Sequence, residues 1–134
     1  MSDRRERRRG RRSDLIELRF LEGVFRRRPR DELVLKAMGD LYTRVGRYQD
    51  GLTVDLSLAD LCPDDAVVWY NLACSYARLA KTDDALDALR RAVSLGYDDA
   101  GWMRRDEDLR SLAGDSRFRA ILESIGPRGA RRDP

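Results

Sequence analysis

The sequence predicts an all-α protein built from helical repeats, and a fixed period, helical apolar spacing and recurring aspartate caps carry that prediction. Side chains of matching character recur 34 positions apart, as do Pro29 and Pro63. The first copy contains Leu35, Met38, Gly39, Tyr42, Gly46, Gly51, Leu58 and Leu61, and the second contains Trp69, Leu72, Ala73, Tyr76, Ala80, Ala85, Ala92 and Leu95. A period of this length is typical of helical arrays, in which each unit buries its apolar face by stacking on its neighbours. No segment shows the alternation of a strand.

The first predicted helix opens the folded part of the chain, residues 13–126. Ser13 or Asp14 is a suitable N-cap, and Pro29 stops the helix. Its apolar positions are Leu15, Leu18, Leu21, Val24 and Phe25. Because Pro29 aligns with Pro63, this helix matches the second half of a repeat whose first half is missing. We therefore expect an N-terminal capping helix.

Two helix pairs follow, and the boundaries of the first are marked by a cap and a glycine. Asp31 begins the first helix of this pair, and Gly46 ends it in a left-handed turn. The partner helix is expected over residues 48–61. The small residues Gly39 and Gly51 let the two backbones of the pair approach closely.

The second pair repeats this arrangement. Asp64 or Asp65 begins its first helix, which runs to about Ala80. Thr82 is expected to cap the partner helix, which ends near Gly96.

The segment after Gly96 departs from the period and predicts a helical lid over the second pair. Asp106 is expected to cap a short helix that ends at Gly114, and Asp115 a final helix. The residues expected to be buried are Leu109, Leu112, Phe118, Ile121, Leu122 and Ile125, with Trp102 wedged beneath the lid. A terminal repeat needs a polar outer face, which the interleaved arginines and acids of this segment supply.

The repeat resembles the tetratricopeptide family, whose 34-residue pattern is W-x2-L-G-x2-Y…A-x3-F…P. The second copy matches it with Trp69, Leu72, Ala73, Tyr76, Ala85 and Leu89, and the first with Leu35, Met38, Gly39, Tyr42, Gly51 and Pro63. Asp55 departs from the pattern where a bulky apolar residue is usual, and Tyr97 stands where a third proline is expected. With its flanks the resemblance covers roughly residues 14–126, and the part after Gly96 resembles the closing segment of many bacterial arrays of this kind.

The resemblance implies a right-handed α–α superhelix, a solenoid of antiparallel helix pairs, with an inner groove lined by the first helix of each pair. Such a groove would bind a short helix or an extended peptide. The residues that would line it are Leu33, Lys36, Asp40, Arg44, Val67, Tyr70, Asn71, Cys74, Arg78 and Arg105. Tyr70 would be its main anchor, because tyrosine is enriched among the residues that dominate binding energy.

Some members of the family clamp the terminal carboxylate of a peptide with lysine, asparagine and arginine side chains. Lys36, Asn71 and Arg105 match three of the places concerned, whereas Asp40 and Gly101 occupy the other two. Because Asp40 would repel a carboxylate in the centre of the clamp, a receptor for chaperone tails is disfavoured.

Charge is unevenly distributed along the chain, whose net charge is +3. Residues 1–12 and 127–134 are strongly basic arms without apolar residues to offset the entropy of ordering, so we expect both to be disordered. The arginines of the first arm that could bind a polyanion are Arg4, Arg5, Arg7, Arg8, Arg9, Arg11 and Arg12. They predict salt-dependent, nonspecific binding to nucleic acid, ribosomes or anionic lipid, or else only a solvated tail.

Catalytic machinery is not expected. The chain has no histidine and no nucleophile or phosphate-binding motif. Its acidic pairs stand at predicted helix starts, where carboxylates cap free N–H groups: Asp64 and Asp65, Asp83 and Asp84, Asp98 and Asp99, Asp106 and Asp108. Cys62 and Cys74 cannot by themselves close a tetrahedral metal site and are expected to be reduced thiols. The sequence thus predicts no catalytic residue, cofactor or metal.

The function expected from these observations is that of a small cytoplasmic adaptor or scaffold that binds a protein partner in its groove. No apolar run is long enough to span a bilayer, and the first residues lack the pattern of a signal peptide. The alternative is an accessory factor that binds nucleic acid or ribosomes through the arginine-rich arm.

Overall fold

The computed structural model describes the backbone of residues 2–126 and the side chains of residues 6–126. The elements are, in order, α1 Ser2–Arg27, α2 Glu32–Arg44, α3 Tyr48–Leu61, α4 Ala66–Arg78, α5 Thr82–Ser94, α6 Ala100–Arg105, a 3-10 helix Glu107–Leu112 and α7 Ser116–Ile125. This part of the chain contains no strand, and none of its helices is long and apolar enough to cross a membrane. The predicted all-α class is confirmed.

The chain divides into two compact units, Met1–Leu61 and Cys62–Pro134. In the first unit, α2 packs against both α1 and α3. Its buried apolar side chains are Leu18, Leu35, Met38, Leu41, Tyr42, Leu52, Val54, Leu58 and Ala59. A Cβ atom added to Gly39 would lie 3.2 Å from Oδ1 of the buried Asp55. This distance is shorter than an ordinary contact, so a larger residue at position 39 would require Asp55 to shift, in line with the predicted close approach of α2 and α3.

In the second unit, α4 packs against α5 and the 3-10 helix, and α7 packs against α5 and α6. The four predicted lid residues, Phe118, Ile121, Leu122 and Ile125, are buried, as are Leu109 and Leu112 of the 3-10 helix. The predicted burial of these six side chains is therefore confirmed. Trp102 was expected beneath it, but this side chain is 48% exposed, and its neighbour Met103 is buried in its place.

The start of each first helix is fixed by an aspartate. Oδ1 of Asp31 accepts hydrogen bonds from the amides two and three residues later, at 3.0 and 3.2 Å, and Oδ1 of Asp65 does the same at 3.0 and 3.4 Å. Gly46 has φ 80°, the predicted left-handed turn after α2. The predicted cap at Thr82 is wrong: α5 begins at Thr82, and the residue before it, Lys81, makes no side-chain capping hydrogen bond. Two acids, Asp83 and Asp84, lie in its first turn instead, where their negative charges interact favourably with the positive end of the helix dipole and stabilise the helix.

The first helix differs most from its prediction. It begins at Ser2, with no cap at Ser13 or Asp14, so residues 2–12 are helical where the sequence predicts disorder. Arginine is among the better helix formers, and this segment contains no proline. Composition alone therefore underestimates its helicity. The predicted basic tail, residues 127–134, lies outside the described residues.

Candidate protein-binding surfaces

The residues predicted to line a groove in the first unit lie on α2, and they are exposed. Leu33 follows the capped start of the helix and is 79% exposed. Asp40 and Arg44 are paired with each other, with Arg44 Nη2 2.7 Å from Asp40 Oδ2. The same guanidinium donates to Asp14 of α1 at 3.1 Å. Arg44 is therefore already held by two carboxylates and offers less to a ligand than its charge suggests.

Lys36 completes this surface. Its Nζ lies 4.0 Å from Glu32 Oε2, one turn earlier, in an exposed i,i+4 pair. Exposed pairs of this kind contribute only about 0.3–0.5 kcal/mol, so the pairing with Glu32 opposes ligand binding to this ammonium group only weakly. The face of α2 thus combines an exposed apolar residue near its start with a cation one turn later.

On α4 the structure separates the predicted groove residues into two groups. Val67, at 57% exposure, and Asn71 face solvent. Tyr70 is only 5% exposed, and Cys74 is buried too, so their prediction as surface residues is wrong. Arg78 is exposed, but its Nε lies 2.7 Å from Asp108 Oδ1. Of the groove residues predicted on α4, only Val67, Asn71 and the paired Arg78 are therefore exposed.

The burial of Tyr70 has a specific cause in the segment after α5. Its ring stacks on Tyr97 with centroids 4.3 Å apart and planes 4° from parallel. Its hydroxyl donates a 2.6 Å hydrogen bond to Asp106 Oδ2. Burial, and then this hydrogen bond, raise the pKa of Tyr70 above its usual value. Tyr70 is therefore a structural residue that anchors the lid segment, not a surface anchor for a ligand.

Asp106 also joins a small cluster that no sequence motif indicated. Cys74, Asp106 and Asp108 each bring one potential ligand atom within 4.8 Å of the others. Cys74 Sγ lies 3.8 Å from Asp106 Oδ2, and Asp106 Oδ1 accepts a 3.0 Å hydrogen bond from the amide of Asp108, as the cap of the 3-10 helix. Asp106 thus accepts hydrogen bonds from Tyr70, Cys74 and the amide of Asp108, and Asp108 accepts one from Arg78. These hydrogen bonds explain both carboxylates without a metal ion. The cap at Asp106 was predicted and is confirmed, whereas the contacts of Asp106 with Tyr70 and Cys74 of α4 had no signal in the spacing.

Arg105, predicted to extend the groove, lies on the exposed side of the short helix α6. A Cβ atom on Gly101 would lie 3.9 Å from its Nη1, so the guanidinium folds back along its own helix. The arginines of the predicted polyanion-binding arm lie on α1, where Arg7, Arg8, Arg9, Arg11 and Arg12 are exposed. The side chains of Arg4 and Arg5 are outside the described residues.

A cleft of about 260 Å³ in the first unit was not predicted from the sequence. Residues of α1, α2 and α3 line it, with Phe25, Leu35, Met38 and Val54 supplying apolar surface. Tyr42 lies on its wall and donates a 2.9 Å hydrogen bond to Glu22, while Arg47 stacks 4.9 Å from the Tyr42 ring centroid. Side chains from three helices form it, so no local pattern could indicate it.

A comparison with curated proteins finds a partial similarity to this chain. No family model matches the chain. A stretch of 87 residues is 31% identical to a chloroplastic protein from Arabidopsis thaliana. The matched stretch is 63% of this chain and 26% of that protein, so the chain spans about a quarter of the relative's length. This coverage does not show a family, and the tetratricopeptide resemblance rests on the residues of the repeat itself.

Proposed function

We propose that this chain is a non-enzymatic protein-binding module of the tetratricopeptide type, an adaptor in which the helix pairs α2–α3 and α4–α5 are repeats of a superhelical array. Peptide or helix ligands would bind to the outward faces of the first helices, α2 and α4. The packed pairs, their equivalent aspartate caps and their 34-residue register support this proposal. A cytoplasmic location is part of the same proposal.

One observation carries the assignment of the binding face. Leu33 and Val67 are equivalent residues, each the second residue of its helix, and both are largely exposed. A scattered exposed apolar residue needs no explanation, but the same exposure at the same position of both repeats indicates a shared role. Burial against a ligand would remove this apolar area from water and stabilise the complex.

The polar residues of the face then set ligand preference. Lys36 on α2 and Asn71 on α4 provide donors for carboxylates or backbone carbonyls, and Asp40 would repel acidic groups. Since Tyr70 is buried, binding energy has to come from Leu33, Val67 and these donors. The ligand expected is a peptide with aliphatic anchors and few acids near Asp40.

The test is a selection of peptides from a random displayed library on the intact chain, followed by affinity measurements on variants. Leu33→Asp and Val67→Asp place an acid in the first turn, where the helix dipole tolerates it, so both should fold. Each should weaken a selected peptide by at least about fivefold, the loss of about 1 kcal/mol that marks a contributing contact. Leu56→Asp on α3, also at an exposed apolar site, is the matched control and should bind normally. Equal losses in all three variants, or peptides that ignore Leu33 and Val67, would refute this binding face.

A further inference from the structure

The outward side of α1 carries exposed apolar side chains that the first unit does not use. Ile16 is 65% exposed and Phe20 is 70% exposed, and their spacing of four residues places them on one side of the helix. Leu15 adds a third exposed apolar side chain beside them. Leu18, in contrast, is fully buried against the rest of the unit. The helix is therefore apolar on two sides, and only one of them packs against α2.

Arginines flank these apolar residues on the same side of the helix. Spacings of three and four residues connect Arg9, Arg12, Ile16 and Phe20 in one row, and Arg8, Arg12, Leu15 and Arg19 in a neighbouring one. Arg27 lies seven residues beyond Phe20 and continues the first row. All of these arginines are exposed. We call this surface, made of Leu15, Ile16 and Phe20 with Arg8, Arg9, Arg12, Arg19 and Arg27, the basic–apolar face.

The acids of α1 that follow Arg12 interact with residues of α2 and of the turn after it. Asp14 pairs with Arg44 of α2 at 3.1 Å, and the charge of Glu17 acts on the same guanidinium. Glu22 accepts a hydrogen bond from Tyr42 and lies 3.9 Å from Arg47. Asp14 and Glu22 are thus engaged by side chains of α2 and of the turn after it, and the five arginines give the basic–apolar face a net positive charge.

We propose that the basic–apolar face of α1 docks on the surface of a bilayer that contains anionic phospholipids. A helix with this composition lies in the plane of the membrane interface, with its apolar side chains at the boundary of headgroups and acyl chains. Ile16 and Phe20 would insert to that depth, and the guanidinium groups would bind lipid phosphates while remaining in the hydrated layer. This surface is distinct from the peptide-binding face of α2 and α4.

The mixture of side chains favours a bilayer over other occupants. Nucleic acid would use the arginines but would leave Ile16 and Phe20 in water. A partner helix would bury the apolar residues, but it would have to desolvate or pair the guanidinium groups among them. A second copy of this chain would bring arginines against arginines in either helix direction. At a lipid surface both kinds of side chain are satisfied at once.

Vesicle co-sedimentation of the intact chain tests the proposal. Vesicles of phosphatidylcholine with about a third phosphatidylserine should bind the chain, and pure phosphatidylcholine vesicles should bind it far more weakly. Phe20→Ser should reduce binding at least about tenfold through the lost apolar insertion. Arg8→Gln with Arg12→Gln should reduce it about 30-fold, from about 1 kcal/mol for each arginine near the surface. Binding should fall as salt rises from about 50 to about 200 mM.

The controls are matched in exposure and charge. Leu56→Ser removes an exposed apolar side chain of the same unit, and Arg110→Gln with Arg119→Gln removes two exposed arginines elsewhere; both should bind vesicles normally. Far-ultraviolet circular dichroism checks that every variant stays helical.

Absence of binding to the anionic vesicles overturns the proposal, and so does binding that Phe20→Ser leaves unchanged. Binding to polyuridylate without vesicle binding would assign the face to nucleic acid. A dimer that Phe20→Ser dissociates, again without vesicle binding, would assign it to a second copy of the chain.

Discussion

Ala80 occupies a backbone conformation that glycine adopts more easily. Its φ is 58°, and it is the only residue other than glycine with positive φ in the described part of the chain. The equivalent position of the first repeat, 34 residues earlier, is Gly46, with φ 80°. The left-handed region costs a side chain bearing a Cβ roughly 1–2 kcal/mol. The second repeat therefore keeps the left-handed turn of the first, although it has alanine where this backbone conformation favours glycine.

Exchanging these two residue types should change stability in opposite directions. Ala80→Gly relieves the left-handed strain at an exposed site, and the added freedom of the unfolded chain offsets part of the gain, so the free energy of unfolding should rise by about 0.5 kcal/mol. Gly46→Ala introduces the strain, although its Cβ would meet no neighbouring atom, and should lower the free energy of unfolding by about 1 kcal/mol. Urea denaturation of both variants measures the changes. A destabilised Ala80→Gly variant would show that the turn is not strained.

Tyr70 shows why part of the candidate site could not be predicted from the sequence. Its partner Asp106 lies 36 residues further on, beyond the point where the repeat loses its period. Position within the repeat indicated a surface residue, and no local pattern indicated the contact. The sequence held one signal. The residue equivalent to Tyr70 in the first repeat is Lys36, and the replacement of a charged residue by an aromatic one indicates that this position is buried in the second repeat.

At the scale of elements, the helices α2 and α4 were predictable because each has local information at its start. Aspartate caps and apolar spacing indicate the starts of α2 and α4, and Gly46 marks the end of α2. Such local signals are lacking at the start of α1, because its N-terminal part is basic and has no apolar period. There, composition predicted disorder, whereas the intrinsic helix preference of arginine is consistent with the helix in the structure.

The final helix, α7, contributes stability through side chains that the sequence already marked as apolar. Phe118 is buried where α7 packs against α5 and α6, so Phe118→Ala should leave a cavity and lower the free energy of unfolding by about 3–5 kcal/mol. The neighbouring Arg119 is exposed, and Arg119→Ala should change stability by less than about 0.5 kcal/mol. Thermal and urea unfolding of both variants measure the difference. Similar small effects from both substitutions would show that the lid is not part of the core.

At the scale of the whole molecule, each compact unit contains a tyrosine hydroxyl that donates to a carboxylate. In the first unit, burial and then the hydrogen bond to Glu22 raise the pKa of Tyr42 to about 12. In the second unit, burial and then the bond to Asp106 raise the pKa of Tyr70, and burial also raises the pKa of its stacking partner Tyr97. Ionising any of these hydroxyls would place a negative charge in a poorly hydrated site, and for Tyr42 and Tyr70 it would lie beside another negative charge.

These shifts predict a loss of stability at alkaline pH. An unfolded tyrosine ionises near pH 10, whereas the folded Tyr42 keeps its proton until about pH 12. The stability that the raised pKa contributes is therefore fully present below about pH 10 and is lost as the pH rises through 12. Denaturation midpoints measured from about pH 8 to about pH 12 should fall steeply above pH 10, with tyrosinate absorbance reporting the ionisation. Tyr42→Phe removes one titrating hydroxyl, so the variant should lose less stability over the same interval, even if it is weaker at neutral pH. A Tyr42→Phe variant with an alkaline decline equal to that of the unmodified chain would mean that Tyr42 does not hold its proton in the folded state.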